Sequence, residues 1–121
     1  MELPKYHETF NPILEVLSDE HIIHYTELQK KVRNNYYSEL PKELLEKRTA
    51  TGANVLLDRI GWGKSYLKIG KFIEYPNRGT VKITKKGLSV LKNGGINLKK
   101  LQEDSDYQEY ESFKRDKKIL H

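Results

Sequence analysis

The 121-residue sequence predicts an α+β fold that is mainly α, and three observations carry that prediction. Leu56, Ile60, Gly63 and Leu67 recur at helical spacing. The period then changes to two: Ile73 and Tyr75 alternate with Glu74, and Val81 and Ile83 alternate with Thr80, Lys82 and Thr84. Between these short strands Pro76-Asn77-Arg78-Gly79 has the composition of a turn. A helix followed by a short basic hairpin is the core of a winged helix-turn-helix, where the helix enters the major groove and the hairpin tip touches the backbone or minor groove. The expected architecture is a winged helix-turn-helix with an inserted helix and a C-terminal helical extension.

Each element has its own signal. Over residues 6 to 18, Asn11 can cap a first helix, Pro12 suits its first position, and Phe10, Ile13, Leu14 and Leu17 form an apolar stripe. Ser18 to His21 reads as a loop, and Ile22-Ile23-His24-Tyr25 as a short strand joining the hairpin. Thr26-Glu27-Leu28-Gln29 has the form of a capping box opening a second helix to about Asn34. Ser38 to Arg48, with Pro41 near its start and Leu40, Leu44 and Leu45 apolar, predicts the inserted helix, broken by Thr49-Ala50-Thr51-Gly52. Gly70 is the residue expected to take the left-handed conformation that ends the central helix. Thr84 is the N-cap of a helix over Lys85 to Lys92, stopped by Asn93-Gly94-Gly95. Beyond it lie a turn or two of helix over residues 97 to 103. A last helix opens on Ser105-Asp106-Tyr107-Gln108 and runs to about Lys118, with Tyr107, Tyr110 and Phe113 at three-residue spacing. Residues 1–95 therefore read as a winged-helix DNA-binding domain and 96–121 as a charged C-terminal helical extension or linker.

Composition excludes several classes. There is no cysteine, so disulfides, thiolate chemistry and a finger-type zinc site are ruled out. No apolar run reaches membrane-spanning length and the first residues lack signal-peptide regions, so a cytoplasmic protein without a membrane partner is expected. The net charge of +5 is unevenly spread: Lys and Arg number seven against nine Asp and Glu in residues 1–48, eleven against two in 49–100, and four against six in 101–121. Positive charge concentrated on one supersecondary unit suits a phosphate-binding face, because neutralising phosphates releases condensed counterions.

Together these residues resemble the N-terminal domain of Mrr-type restriction proteins. The likeness rests on Ile60-Gly61-Trp62-Gly63-Lys64-Ser65-Tyr66-Leu67-Lys68, then Phe72-Ile73-Glu74, Asn77-Arg78-Gly79 and Ile83-Thr84-Lys85-Lys86-Gly87-Leu88. Phe10-Asn11-Pro12-Ile13-Leu14 falls at the family's first helix, so the resemblance covers about residues 6 to 92. It implies double-stranded DNA binding, as the target-recognition module of a restriction system directed at modified DNA. Members usually continue into a nuclease domain of the PD-(D/E)xK type; this chain is expected to lack that domain and to be no enzyme. A nuclease domain or subunit is thus an implied partner. Two departures are Gly63, where the family tends to have alanine, and Lys71, where a small or apolar neighbourhood is usual.

With Ile60 pointing inward, the residues expected to contact DNA are Arg59, Lys64, Ser65 and Lys68 on the central helix and Asn77, Arg78 and Lys82 on the hairpin. Trp62, opposite the main stripe, either stacks on nucleic acid or is covered by the inserted or C-terminal helix, and the preference of large aromatics for cover favours the second. His21-Ile22-Ile23-His24 lacks the third ligand that a metal needs, so both histidines read as structural or solvent-exposed. The D/E-x-K match at Asp116-Lys117-Lys118 has no strand around it, and there is no Walker loop and no Gly-rich dinucleotide turn. Neither a cofactor nor a metal is expected. The alternative reading is a winged-helix protein interaction or dimerisation module, a homodimer being one form, because fold alone does not decide function.

Overall fold

The computed structural model describes residues 1–119. A 3-10 turn over Tyr6–Thr9 leads into α1 (Phe10–Val16), whose Phe10, Ile13 and Leu14 are buried. Asn11 does not cap this helix. It sits inside the first turn and its Oδ1 accepts the Ile96 N–H at 2.8 Å, a tie across 85 residues that local pattern cannot reveal. Then come β1 (Ile23–His24) and α2 (Tyr25–Tyr36). The cap of α2 is His24, whose Nδ1 accepts the Thr26 N–H at 3.3 Å, so the helix starts one residue before Thr26. Gln29 instead donates its Nε2 to the Leu57 carbonyl at 2.9 Å and links α2 to the central helix.

The inserted helix expected over residues 38–48 is a single turn, α3 (Lys42–Leu45), behind Pro41. Arg48 and Asn54 then form an antiparallel bridge around a turn in which Gly52 has φ +92°. Asn54 caps α4 (Val55–Ile69), its side chain accepting the Leu57 N–H at 3.1 Å. Leu56, Ile60 and Leu67 of α4 are fully buried, each contributing about 1.5–3 kcal/mol by leaving water. Gly63 lies where the 3-10 turn crosses: an added Cβ would meet Thr9 Oγ1 at 2.1 Å and the Tyr6 carbonyl oxygen at 2.9 Å.

The end of α4 differs from expectation. Gly70 keeps φ −78°, and Lys71 takes the left-handed conformation at φ +62°. Phe72 N–H bonds the Leu67 carbonyl at 3.0 Å and Lys71 N–H the Lys68 carbonyl at 3.0 Å, the paired bonds of a Schellman ending. Glycine is needed at 70 for space, since a Cβ there would come within 2.5 Å of the Phe72 ring.

A three-stranded antiparallel sheet follows, in the order β1, β3, β2, with β2 at Ile73–Glu74 and β3 at Thr80–Ile83. Ile23 faces Val81 and Ile73 faces Ile83, and all four turn their side chains into the core. Thr84 caps α5 (Lys85–Lys92) by accepting the Gly87 N–H at 3.1 Å. The core continues past residue 95: Ile96 and Leu101 are buried in the cluster that holds Phe10 and Ile60. Asn97 caps α6 (Leu98–Glu103), and α7 runs over Ser105–Ile119. Asp104, not Ser105, caps α7, its Oδ2 accepting the Asp106 and Tyr107 N–H groups at 3.1 and 3.2 Å.

Candidate nucleic-acid interface

The surface in question is built by α4 and the β2–β3 hairpin. At about 100° per residue around a helix, Ser65 and Trp62 point away from the buried Ile60 direction, and Lys64 and Lys68 lie on one flank. Arg59 falls about 180° from Lys68, on the other flank. Its Nη1 donates to the carbonyls of Pro4 at 3.1 Å and Leu3 at 3.5 Å, so this guanidinium anchors the N-terminal segment and is separated from the lysines.

Lys64 is the hinge of the surface. Its Nζ donates to Tyr75 Oη at 3.3 Å and stands 4.8 Å from the Tyr75 ring centre and 5.2 Å from that of Tyr25. Lys68 Nζ stands 5.4 Å from the centre of the same Tyr75 ring. Burial pulls the Lys64 ammonium below its ordinary value and pushes the Tyr75 phenol above its own, with a Ser65 contact opposing the latter. Tyr25 N–H donates to the Gly79 carbonyl at 2.9 Å, which fixes the start of α2 to the hairpin tip. Tyr25, Lys64, Tyr75 and Thr80 enclose a hollow of about 220 Å³. Ser65 Oγ donates back to the Gly61 carbonyl at 3.1 Å and keeps its lone pairs available.

At the tip, Asn77 N–H donates to Thr80 Oγ1 and the Asn77 carbonyl accepts from Thr80 N–H, at 2.9 and 3.1 Å. Gly79 has φ +79°, and a Cβ on it would come within 2.9 Å of His24 Nε2, so glycine is required twice over. Asn77 and Arg78 are exposed. Lys82 sits opposite Glu74, and because Val81 and Ile83 face the core, Lys82 projects from the other face of the sheet. The arrangement thus gathers Lys64, Ser65 and Lys68, adds the tip residues Asn77 and Arg78, and sets Arg59 and Lys82 apart.

The cations of residues 49–100 do not all converge. Lys86 is held by Asp104 at 2.7 Å and Asp106 at 2.8 Å, and its Nζ also donates to the Gly70 carbonyl and lies 4.4 Å from the centre of the Phe72 ring. Lys71 pairs with Asp106 at 3.5 Å. Lys100 donates to the Gly95 carbonyl, while Lys85, Lys92 and Lys99 stand exposed on α5 and α6. Much of the charge excess of this stretch is therefore spent on holding α7 or lies away from α4.

Trp62 is the largest correction. It is 56% exposed, covered by neither α3 nor α7. It forms one wall of a hollow of about 380 Å³ with Lys5, Tyr6, His7, Asp58 and Arg59, and of another with Gln29, Gly61 and Ser65. Its outward angle was readable from the spacing, but an exposed tryptophan runs against the general preference of large aromatics for cover. Tyr25 and Tyr75 read in the sequence only as strand residues; the strands stop one residue short of each, at His24 and Glu74, and nothing in the pattern placed either tyrosine beside Lys64. The histidines have local partners: His24 caps α2, and His21 bonds the Asp19 carboxylate, whose pKa this contact lowers. Among the described residues no group of three or more His, Cys, Asp or Glu could hold a metal, and Asp116-Lys117 lies within α7.

The molecule is thus a small α+β domain, mainly α, with a mixed aromatic and basic surface on its longest buried helix. No described helix is long and apolar enough to cross a membrane. The chain belongs to the Mrr N-terminal domain family, whose match spans residues 6–93, and so to a class of modules tied to restriction systems. No curated protein and no solved structure matches it.

Proposed function

We propose that this chain binds double-stranded DNA as the target-recognition module of an Mrr-type restriction system, with a winged helix-turn-helix in which α4 is the recognition helix and β2–β3 the wing. The observation that carries the reading is the link between the two parts: Lys64 and Lys68 both approach the Tyr75 ring at the base of the hairpin, so helix face and hairpin tip form one surface. In this reading Lys68 and Arg78 neutralise phosphates on either side of the groove entered by α4. Ser65 reaches a phosphate oxygen or a base edge, and Trp62 offers apolar surface to methyl groups in the major groove. Lys64, shielded by two tyrosines, holds the wing to the helix more than it meets the duplex. The activity is binding, and strand cleavage belongs to a nuclease domain or subunit acting with this module.

The test is amide chemical-shift mapping of the labelled protein on addition of duplex DNA. Shifts confined to residues 58–68 and 77–80 are expected. Shifts centred on α5 and α6, or none, overturn the reading.

A further inference from the structure

The second half of α7 leaves two aromatic side chains exposed. Its start is held: the Tyr107 ring lies 6.3 Å from that of Tyr66, and Asp104 and Asp106 grip Lys86. Further along, Phe113 is 64% exposed and Tyr110 39%. With Glu109 and with Lys68, Ile69 and Lys71 at the end of α4, these two aromatics line an open groove of about 350 Å³. A helical segment without tertiary cover is marginal in water, so this one needs a partner to persist.

Its charge order says which partner fits. Asp106, Glu109 and Glu111 precede Phe113, while Lys114, Arg115 and Lys117 follow it. A helix acidic in its first half and basic in its second is complementary to itself when two copies run antiparallel. Glu109, Phe113 and Lys117 are four residues apart and share one face of the helix, and Glu109 and Phe113 line the groove. We propose that α7 pairs antiparallel with α7 of a second copy of this chain, about a two-fold axis at Phe113, with each Phe113 seated beside the groove of the other copy. In that register Glu109 of one copy meets Lys117 of the other, twice by symmetry, as an isologous contact requires.

Sedimentation velocity over a concentration series tests this. The full chain should shift from monomer toward dimer mass as concentration rises. Phe113→Ala should weaken the association about tenfold or more, as for a central aromatic anchor. Glu109→Lys and Lys117→Glu alone should each weaken it, and the double variant carrying both should recover it. Circular dichroism on each variant confirms that the domain is folded. A chain that stays monomeric throughout, a Phe113→Ala variant that associates like the parent, or a double variant that fails to recover overturns the proposal.

Discussion

Replacing Gly87 with alanine pits helix propensity against space, and the structure decides the sign. Gly87 is the third residue of α5, where alanine would gain about 1 kcal/mol. An ideal Cβ there, however, lies 2.1 Å from the Phe72 carbonyl oxygen and 2.7 Å from Ile83 Cγ1. Neither neighbour can step aside cheaply: Phe72 is buried backbone that accepts the Thr84 N–H at 3.1 Å, and Ile83 is in the core. Overpacking of this kind costs about 1–3 kcal/mol, and straining the Phe72–Thr84 bond adds about 1 kcal/mol. The net loss is about 2 kcal/mol. With an unfolding entropy of about 2.1 cal/mol/K per residue over 121 residues, Tm should fall by about 8 °C. Thermal unfolding followed by circular dichroism reads this directly. A rise of about 4 °C, which propensity alone would give, refutes the reasoning.

Gly63→Ala should also lower Tm despite alanine's propensity, because its Cβ would strike Thr9 Oγ1 and the Tyr6 carbonyl; adding Thr9→Ala should restore part of the loss, and strict additivity of the two changes would count against the contact. The Asp106 carboxyl is held below its ordinary value of 3.8, first by its bond to Lys86, so the stability from this pair is complete above that pH and fades as pH falls through the lower folded value. Lys86→Met should therefore be less stable than the parent near neutrality, with the gap in Tm closing as pH falls below the ordinary carboxylate value of 3.8; a gap independent of pH would contradict the assignment. Arg59→Ala should lower Tm by freeing Leu3 and Pro4 while leaving duplex affinity near the parent's, whereas Lys68→Ala should do the reverse and reduce the salt slope of binding by about one. Equal losses of affinity in both variants would remove the distinction drawn between the two flanks of α4.

What the sequence disclosed was local. Thr84 precedes an apolar run and caps the helix there, and the switch of period at residue 70 marks the hairpin correctly. Errors arose where a distant contact claimed a residue with a plausible local role. Asn11 looks like a cap but bonds Ile96, and Gly70 looks like a left-handed stop but makes room for Phe72 and Leu101, leaving Lys71 to adopt the positive φ. The capping-box pattern at Thr26 lies two residues late because His24 accepts the amide. Of the candidate surface, Lys64, Ser65 and Lys68 were readable from spacing. Their aromatic setting was not, because Tyr25 and Tyr75 reach Lys64 from segments that only the sheet brings together. Counting cations along the chain overstated the basic face, since Asp104 and Asp106 come from beyond the counted segment to bind Lys71 and Lys86.

Duplex affinity measured by fluorescence anisotropy across a salt series, for the parent and for a Lys68→Glu, Arg78→Glu variant, tests the proposed surface most directly. The parent should bind with log K falling linearly in log salt, about 0.9 for each phosphate neutralised, and the variant should bind all sequences more weakly with a shallower slope. Binding without salt dependence, or a variant that matches the parent in both affinity and slope, would contradict the account.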